Sequence, residues 1–452
     1  MTDNRDAHHP GGAPGPAGGP GRADGAGRAD PAERAGVAGG AGPGLARRLG
    51  VGDAAVIGLG SMVGAGVFAV WGPAARAAGG LLLVSLVIAG LVAYCNAAAS
   101  AQLAAVYPVS GGTYAYGRER LGEWWGYTAG CAFVLGKTAS CAAMALTFAT
   151  YVVPGHEWVR RLVALAAVLV LAAVNYRGVT RTAALTRVLV ACTLVVLAVV
   201  VVLLLTAEHT TSWTADTSPY GVLQAAGLLF FAFAGYARIA TMGEEVRDPA
   251  RTIPRAILIA LFVAMSIYLV VGVSLLLALG PDRIGAASAP LATALQAVDA
   301  AWAQPVVRVG AALASLGALL ALITGIGRTT LAMARTKDLP TWLAAVHPRF
   351  QVPHHAEIAL AAVVGVLVLT TDLRGVIGFS SFGVLLYYAI ANASAYTQPA
   401  EQRRWPRVLN ILGLLGCVVL AVTLPLTSAV TCAVLLAIAL FARWIRLRSG
   451  RA

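Results

Sequence analysis

Gly58-Leu59-Gly60-Ser61-Met62-Val63-Gly64-Ala65-Gly66-Val67-Phe68 lies in the middle of the first long apolar run of this chain. The run has the length of a membrane helix, yet this stretch holds four glycines within nine residues, which is poor helix chemistry. In hydrocarbon an opened backbone cannot face lipid, because each unpaired N–H or C=O costs several kcal/mol. The glycines therefore serve close helix packing, for which Gly60 and Gly64 form a small-xxx-small pair, or a break that lines a cavity.

Composition sets the class. Of 452 residues, 58% are hydrophobic and only 12% are charged, and the apolar residues gather in repeated runs of spanning length. The net charge of +13 is not a nucleic-acid signature, since Arg and Lys sit mainly between apolar runs and form no single basic face. The six cysteines fall inside apolar runs without metal-ligand spacing and read as free, buried thiols. No zinc pattern, nucleophile motif or phosphate loop is visible, so neither an enzyme nor a resident metal or cofactor is expected.

Residues 1–45, rich in Gly, Ala, Pro, Asp and Arg, are expected to form a disordered cytoplasmic tail. Twelve apolar spans follow, near 52–75, 80–105, 124–152, 159–176, 184–206, 220–245, 254–279, 304–333, 356–371, 375–397, 406–424 and 426–446. The ninth is short enough to be partly re-entrant. Loops after even-numbered spans carry Arg118 and Arg120; Arg177 and Arg181; Arg247, Arg251 and Arg255; Arg335, Lys337 and Arg349; Arg403, Arg404 and Arg407. Loops after odd-numbered spans hold little beyond Arg76, Arg160 with Arg161, Arg283 and Arg374. By the positive-inside rule both termini are expected in the cytoplasm.

The sixth span carries an interruption of its own, Phe230-Phe231-Ala232-Phe233-Ala234-Gly235-Tyr236. Paired interruptions five spans apart point to a transporter binding site between two inverted five-helix halves. The expected fold is therefore an all-α integral membrane protein of about twelve helices. It comprises a first five-helix repeat over 46–206, a second over 207–400, and two accessory helices over 401–452.

These motifs resemble the amino acid–polyamine–organocation (APC) superfamily of transporters. Residues 58–68 match its Gly-rich first helix, G-x-G-x-x-x-G-x-G-[IV]-F. Tyr107-Pro108-Val109-Ser110-Gly111-Gly112-Thr113-Tyr114 is similar to its loop before helix three. Phe230 to Gly235, then Glu244-Glu245-Val246-Arg247-Asp248-Pro249 and Ile253-Pro254-Arg255, resemble helix six and its exit. Ala332 to Arg335, Leu339-Pro340 and His347-Pro348-Arg349-Phe350 resemble the segment after helix eight, and beyond residue 400 only hydropathy matches.

The resemblance implies a LeuT-like 5+5 inverted repeat and alternating access around a site between broken helices one and six. It assigns the substrate carboxylate to the backbone at Met62, Val63, Gly64, Ala65 and Gly66. It assigns the α-amine to the carbonyls of Phe231, Ala232 and Ala234, with Gly235 completing that interruption. Phe231 stands where relatives place an aromatic gate, and Phe233 is a second candidate. Helix chemistry agrees, since free N–H groups suit a carboxylate and free carbonyls suit an ammonium.

Lys137, midway along the third span, has no charged neighbour within a turn, and an intramembrane ammonium is costly enough to mark a functional candidate. It is expected to face the pocket, where it pairs with an acidic substrate group or carries a coupled proton. The family's Glu after the helix-six glycine is replaced by Ala237, followed by Arg238, and Thr193 stands where proton-coupled relatives carry Lys. Lys137, Thr193 and Arg238 are thus the coupling candidates, with Thr193 also a possible lining for sodium and Arg238 a possible partner of Glu244 or Glu245. Two cations without an anion disfavour a cationic substrate. The expected function is secondary active transport of a neutral or acidic amino acid across the cytoplasmic membrane, proton-coupled or by exchange. A sodium-coupled symporter and a substrate-sensing receptor on the same scaffold are the alternatives.

Overall fold

The computed structural model describes residues 49–449 except 109–110, 154, 179–182, 209–216 and 244. The expected tail over 1–45, Val109, Ser110, Arg181 and Glu244 lie outside the described residues. Among the described residues the protein is helical, with a single isolated bridge between Leu49 and Val246.

Among the described residues nine helical stretches are long and apolar enough to cross a membrane, and two shorter apolar helices, His354–Thr370 and Arg407–Thr423, join them. Glu157–Tyr176, whose first turns carry Glu157, Arg160 and Arg161, is the remaining crossing of the twelve read from the sequence. The ninth span is one continuous 17-residue helix, not a re-entrant loop. At ~1.5 Å per residue it rises about 25 Å, enough for a crossing with little tilt.

Two crossings are interrupted. The first runs as Val51–Met62, breaks at Val63 to Ala65, and resumes as Gly66–Ala69. Val70 keeps helical angles, so that second half continues into Trp71–Ala78. The sixth runs as Pro219–Phe233, tightens to a 3₁₀ turn at Ala234–Tyr236, and ends as Ala237–Ala240. The seventh, Pro249–Ala286, turns at Gly280 (φ 72°), where glycine alone adopts the angle without strain before Pro281.

The glycines of the first span each meet a different neighbour. A Cβ at Gly60 would strike Val190 of the fifth span, one at Gly64 would strike Ala318 of the eighth, and one at Gly66 would strike Ala232 of the sixth. Packing and breakage are therefore not rival explanations here. Glycine lets three spans close around a helix that opens among them.

Candidate substrate site

The two interruptions abut. A Cβ at Gly235 would lie 2.6 Å from the Met62 amide nitrogen and closer still to the Ser61 carbonyl. A side chain there would push one backbone off the other, so Gly235 permits the contact that brings the two breaks to one point. Met62, Val63, Ala65, Phe231, Ala232, Phe233 and Ala234 are all buried around it.

At the first break the last helical bond runs from the Val63 N–H to the Leu59 carbonyl, and bonding resumes with Phe68 N–H to Ala65. The N–H groups of Gly64, Ala65, Gly66 and Val67 carry no hydrogen bond among the described residues. They head a helix that runs on to Ala78, and its dipole places partial positive charge at this end. This half of the site is a set of free donors.

The sixth-span carbonyls are already engaged. Phe231 C=O accepts from the Ala234 N–H. Ala232 C=O accepts from the Tyr268 hydroxyl at 2.9 Å. Ala234 C=O accepts from Lys137 Nζ at 3.1 Å. The Tyr268 hydroxyl also faces the Met62 carbonyl at 2.7 Å, so one side chain of the seventh span ties both breaks together.

Lys137 is only 6% exposed, midway along Glu123–Val152, and reaches the sixth-span break. Phe233 packs edge-on against Tyr268 with ring centroids 5.1 Å apart, which makes it part of the clamp. Phe230 packs edge-on against Tyr388. Phe231 has no ring partner among the described residues and is the aromatic left beside the breaks.

Thr193 is buried, with its hydroxyl donated to the Leu189 carbonyl one turn back in its own helix. Arg238 lies beyond the break, half-buried, within reach of the charges of Glu245 and Arg328, while those two pair with each other at 3.7 Å. The structure therefore brings Lys137 to the breaks and leaves Thr193 and Arg238 apart from them.

Sequence reasoning missed Tyr268. Its signal was present: a lone tyrosine in an apolar span has a hydroxyl that must find a partner. Nothing in the sequence says which partner, 206 residues away, it finds.

The matched family model, described as amino acid permease, covers residues 49–441. A protein of Mycobacterium tuberculosis (strain H37Rv) named as an uncharacterized transporter is 57% identical over 382 residues, 84% of this chain and 86% of the relative. Cationic amino acid transporter 7, chloroplastic, of Arabidopsis thaliana is 28% identical over 367 residues, 73% of this chain and 62% of the relative. The branched-chain amino acid permease of Bacillus subtilis is 25% identical over 373 residues, 76% and 79% of the two chains.

Proposed function

Because this chain belongs to the amino acid permease family, we propose that it is a secondary active transporter carrying a neutral or acidic amino acid across the cytoplasmic membrane by alternating access. The observation that carries this reading is the meeting of two broken helices in mid-bundle, with four free N–H groups on one of them. A substrate carboxylate satisfies those donors, and Phe231 closes over it. Spans one to five (46–206) and six to ten (207–400) act as inverted halves, with the last two spans (401–452) as accessories. Both termini lie in the cytoplasm, in keeping with the Arg and Lys between spans.

Relatives are named for cationic and for branched-chain amino acids, so their names do not agree on a substrate. Lys137 argues against a cation here, because a second positive charge beside it finds no carboxylate partner among the described residues. Closing the site near neutrality requires either that Lys137 release its proton beside a zwitterion or that the substrate bring a negative charge. Protons or counter-exchange are favoured over sodium as the driving force. Thr193 offers a single hydroxyl, already donated to Leu189, where a sodium ion needs several oxygens.

Reconstitution of the full chain in liposomes with an amino-acid panel, under imposed proton and sodium gradients separately, tests this reading. Accumulation of a labelled neutral or acidic amino acid driven by a proton gradient or by internal amino acid is the expected result. Equilibration without accumulation speaks against active transport, and dependence on sodium alone reverses the coupling.

A further inference from the structure

We propose that Lys137 is a tethered cation at the sixth-span break, so that the site selects a carboxylate ligand of net charge −1 over a zwitterion or a cation. This rests on the transporter reading above and narrows its substrate class.

The argument begins with donors and acceptors. An amino acid's ammonium needs acceptors, and at the sixth-span break the three carbonyls are engaged by Ala234 N–H, Tyr268 and Lys137. Lys137 Nζ stands on the Ala234 carbonyl at 3.1 Å, in the place an ammonium ligand would take. A second ammonium there meets a like charge in a dry site, where repulsion is several times stronger than in water.

Donors are in surplus. Lys137 uses one of its N–H bonds on Ala234, and no other acceptor among the described residues holds the remaining ones. The Gly64 to Val67 N–H groups are likewise unengaged among the described residues. The Cys141 thiol stands one turn along the same helix, and no carboxylate pairs with Lys137 among the described residues. A buried, single-bonded ammonium at one break and free amides at the other together complement an anion.

Charge balance points the same way. With Lys137 protonated, a zwitterion leaves the closed site at +1, a cationic amino acid at +2, and a singly negative carboxylate at zero. Two kinds of molecule share that chemistry: an acidic amino acid, and a monocarboxylate that lacks an amine.

The test uses the full-length protein in detergent and in liposomes, with direct binding of each radiolabelled probe. The probes are glutamate, leucine, 4-methylpentanoate (leucine without its amine) and arginine. Glutamate, 4-methylpentanoate or both are expected to bind at least tenfold more tightly than leucine, with arginine weakest. Response to 4-methylpentanoate identifies amine-free carboxylates, and response to glutamate alone identifies acidic amino acids. Lys137→Met is expected to erase that preference and Lys137→Arg to retain it; if either variant does not fold, the ranking in the unaltered protein decides. Leucine binding as tightly as both anions, or no response to either anion, overturns the inference. Binding of 4-methylpentanoate with no amino acid transported would sustain it while removing the amino acid reading on which it was built.

Discussion

The hydroxyl of Tyr268 carries one hydrogen and faces two carbonyls, Met62 at 2.7 Å and Ala232 at 2.9 Å, so it shares that hydrogen between the two broken spans. Tyr268→Phe leaves both oxygens without it in a dry setting. Unpaired buried acceptors cost about 1–3 kcal/mol, so the purified variant should unfold several degrees lower; an unchanged midpoint would mean the clamp contributes nothing. Gly235 acts at the same junction by what it lacks. A methyl there cannot be relieved by a side-chain rotation, because backbone atoms of Ser61 and Met62 stand in its way. Gly235→Ala is expected to lower the maximal uptake rate at least tenfold, while Gly52→Ala, with open space around it, leaves uptake unchanged. Equal behaviour of the two variants would show that the close approach of the breaks is dispensable.

Whole elements are held at one end of the bundle by a single carboxylate. Asp338, after the eighth span, is 4% exposed and accepts from Tyr114 at 2.7 Å, from Arg118 at 2.8 Å and from Arg443 of the last span. It thereby joins the short helix Thr113–Leu121 to the ends of the eighth and twelfth spans. Glu123 also pairs with Arg118 at 3.2 Å and Arg443 at 3.5 Å, but from an exposed position where screening leaves little of the attraction. Asp338→Asn strips the buried arginine of its main counter-charge, a loss of about 3–5 kcal/mol when nothing compensates. Its thermal midpoint should fall well below that of Glu123→Gln, and the reverse order would place the anchor on Glu123. None of this was legible beforehand. The twelve spans and both interruptions were, because hydropathy and glycine act locally along the chain. Asp338 lies in sequence between two apolar spans, where nothing local marks it as buried. Likewise Asn175, Thr324 and Glu357 sit on three different spans, and their chain of bonds at 2.9 and 2.7 Å exists only after those spans pack. Polar residues scattered singly in apolar runs announce that a partner is needed and do not say where it is.

At the scale of the molecule, the residues around the two breaks are buried. Two cavities lie elsewhere: one of about 580 Å³ beside Arg76, Thr217 and Asp282, the other of about 210 Å³ beside Thr150, Arg160 and Gln304. Both border the loops after odd-numbered spans, the ends poor in Arg and Lys. If the positive-inside rule sets the orientation, those cavities open outward, and the loop that follows the eighth span lies in the cytoplasm. The native cysteines favour a direct test, since five are buried and the sixth, Cys192, is exposed on an apolar membrane span that an aqueous reagent does not reach. Ala301, before the eighth span, and Thr341 and Ala400, after the eighth and tenth, are exposed at opposite ends. A membrane-impermeant maleimide added to intact cells should label Ala301→Cys and spare Thr341→Cys and Ala400→Cys. Permeabilised cells should show all three labelled, which establishes that the thiols are reactive. Labelling of Thr341→Cys and Ala400→Cys in intact cells, with Ala301→Cys silent, would turn the molecule over and place the two cavities on the cytoplasmic side.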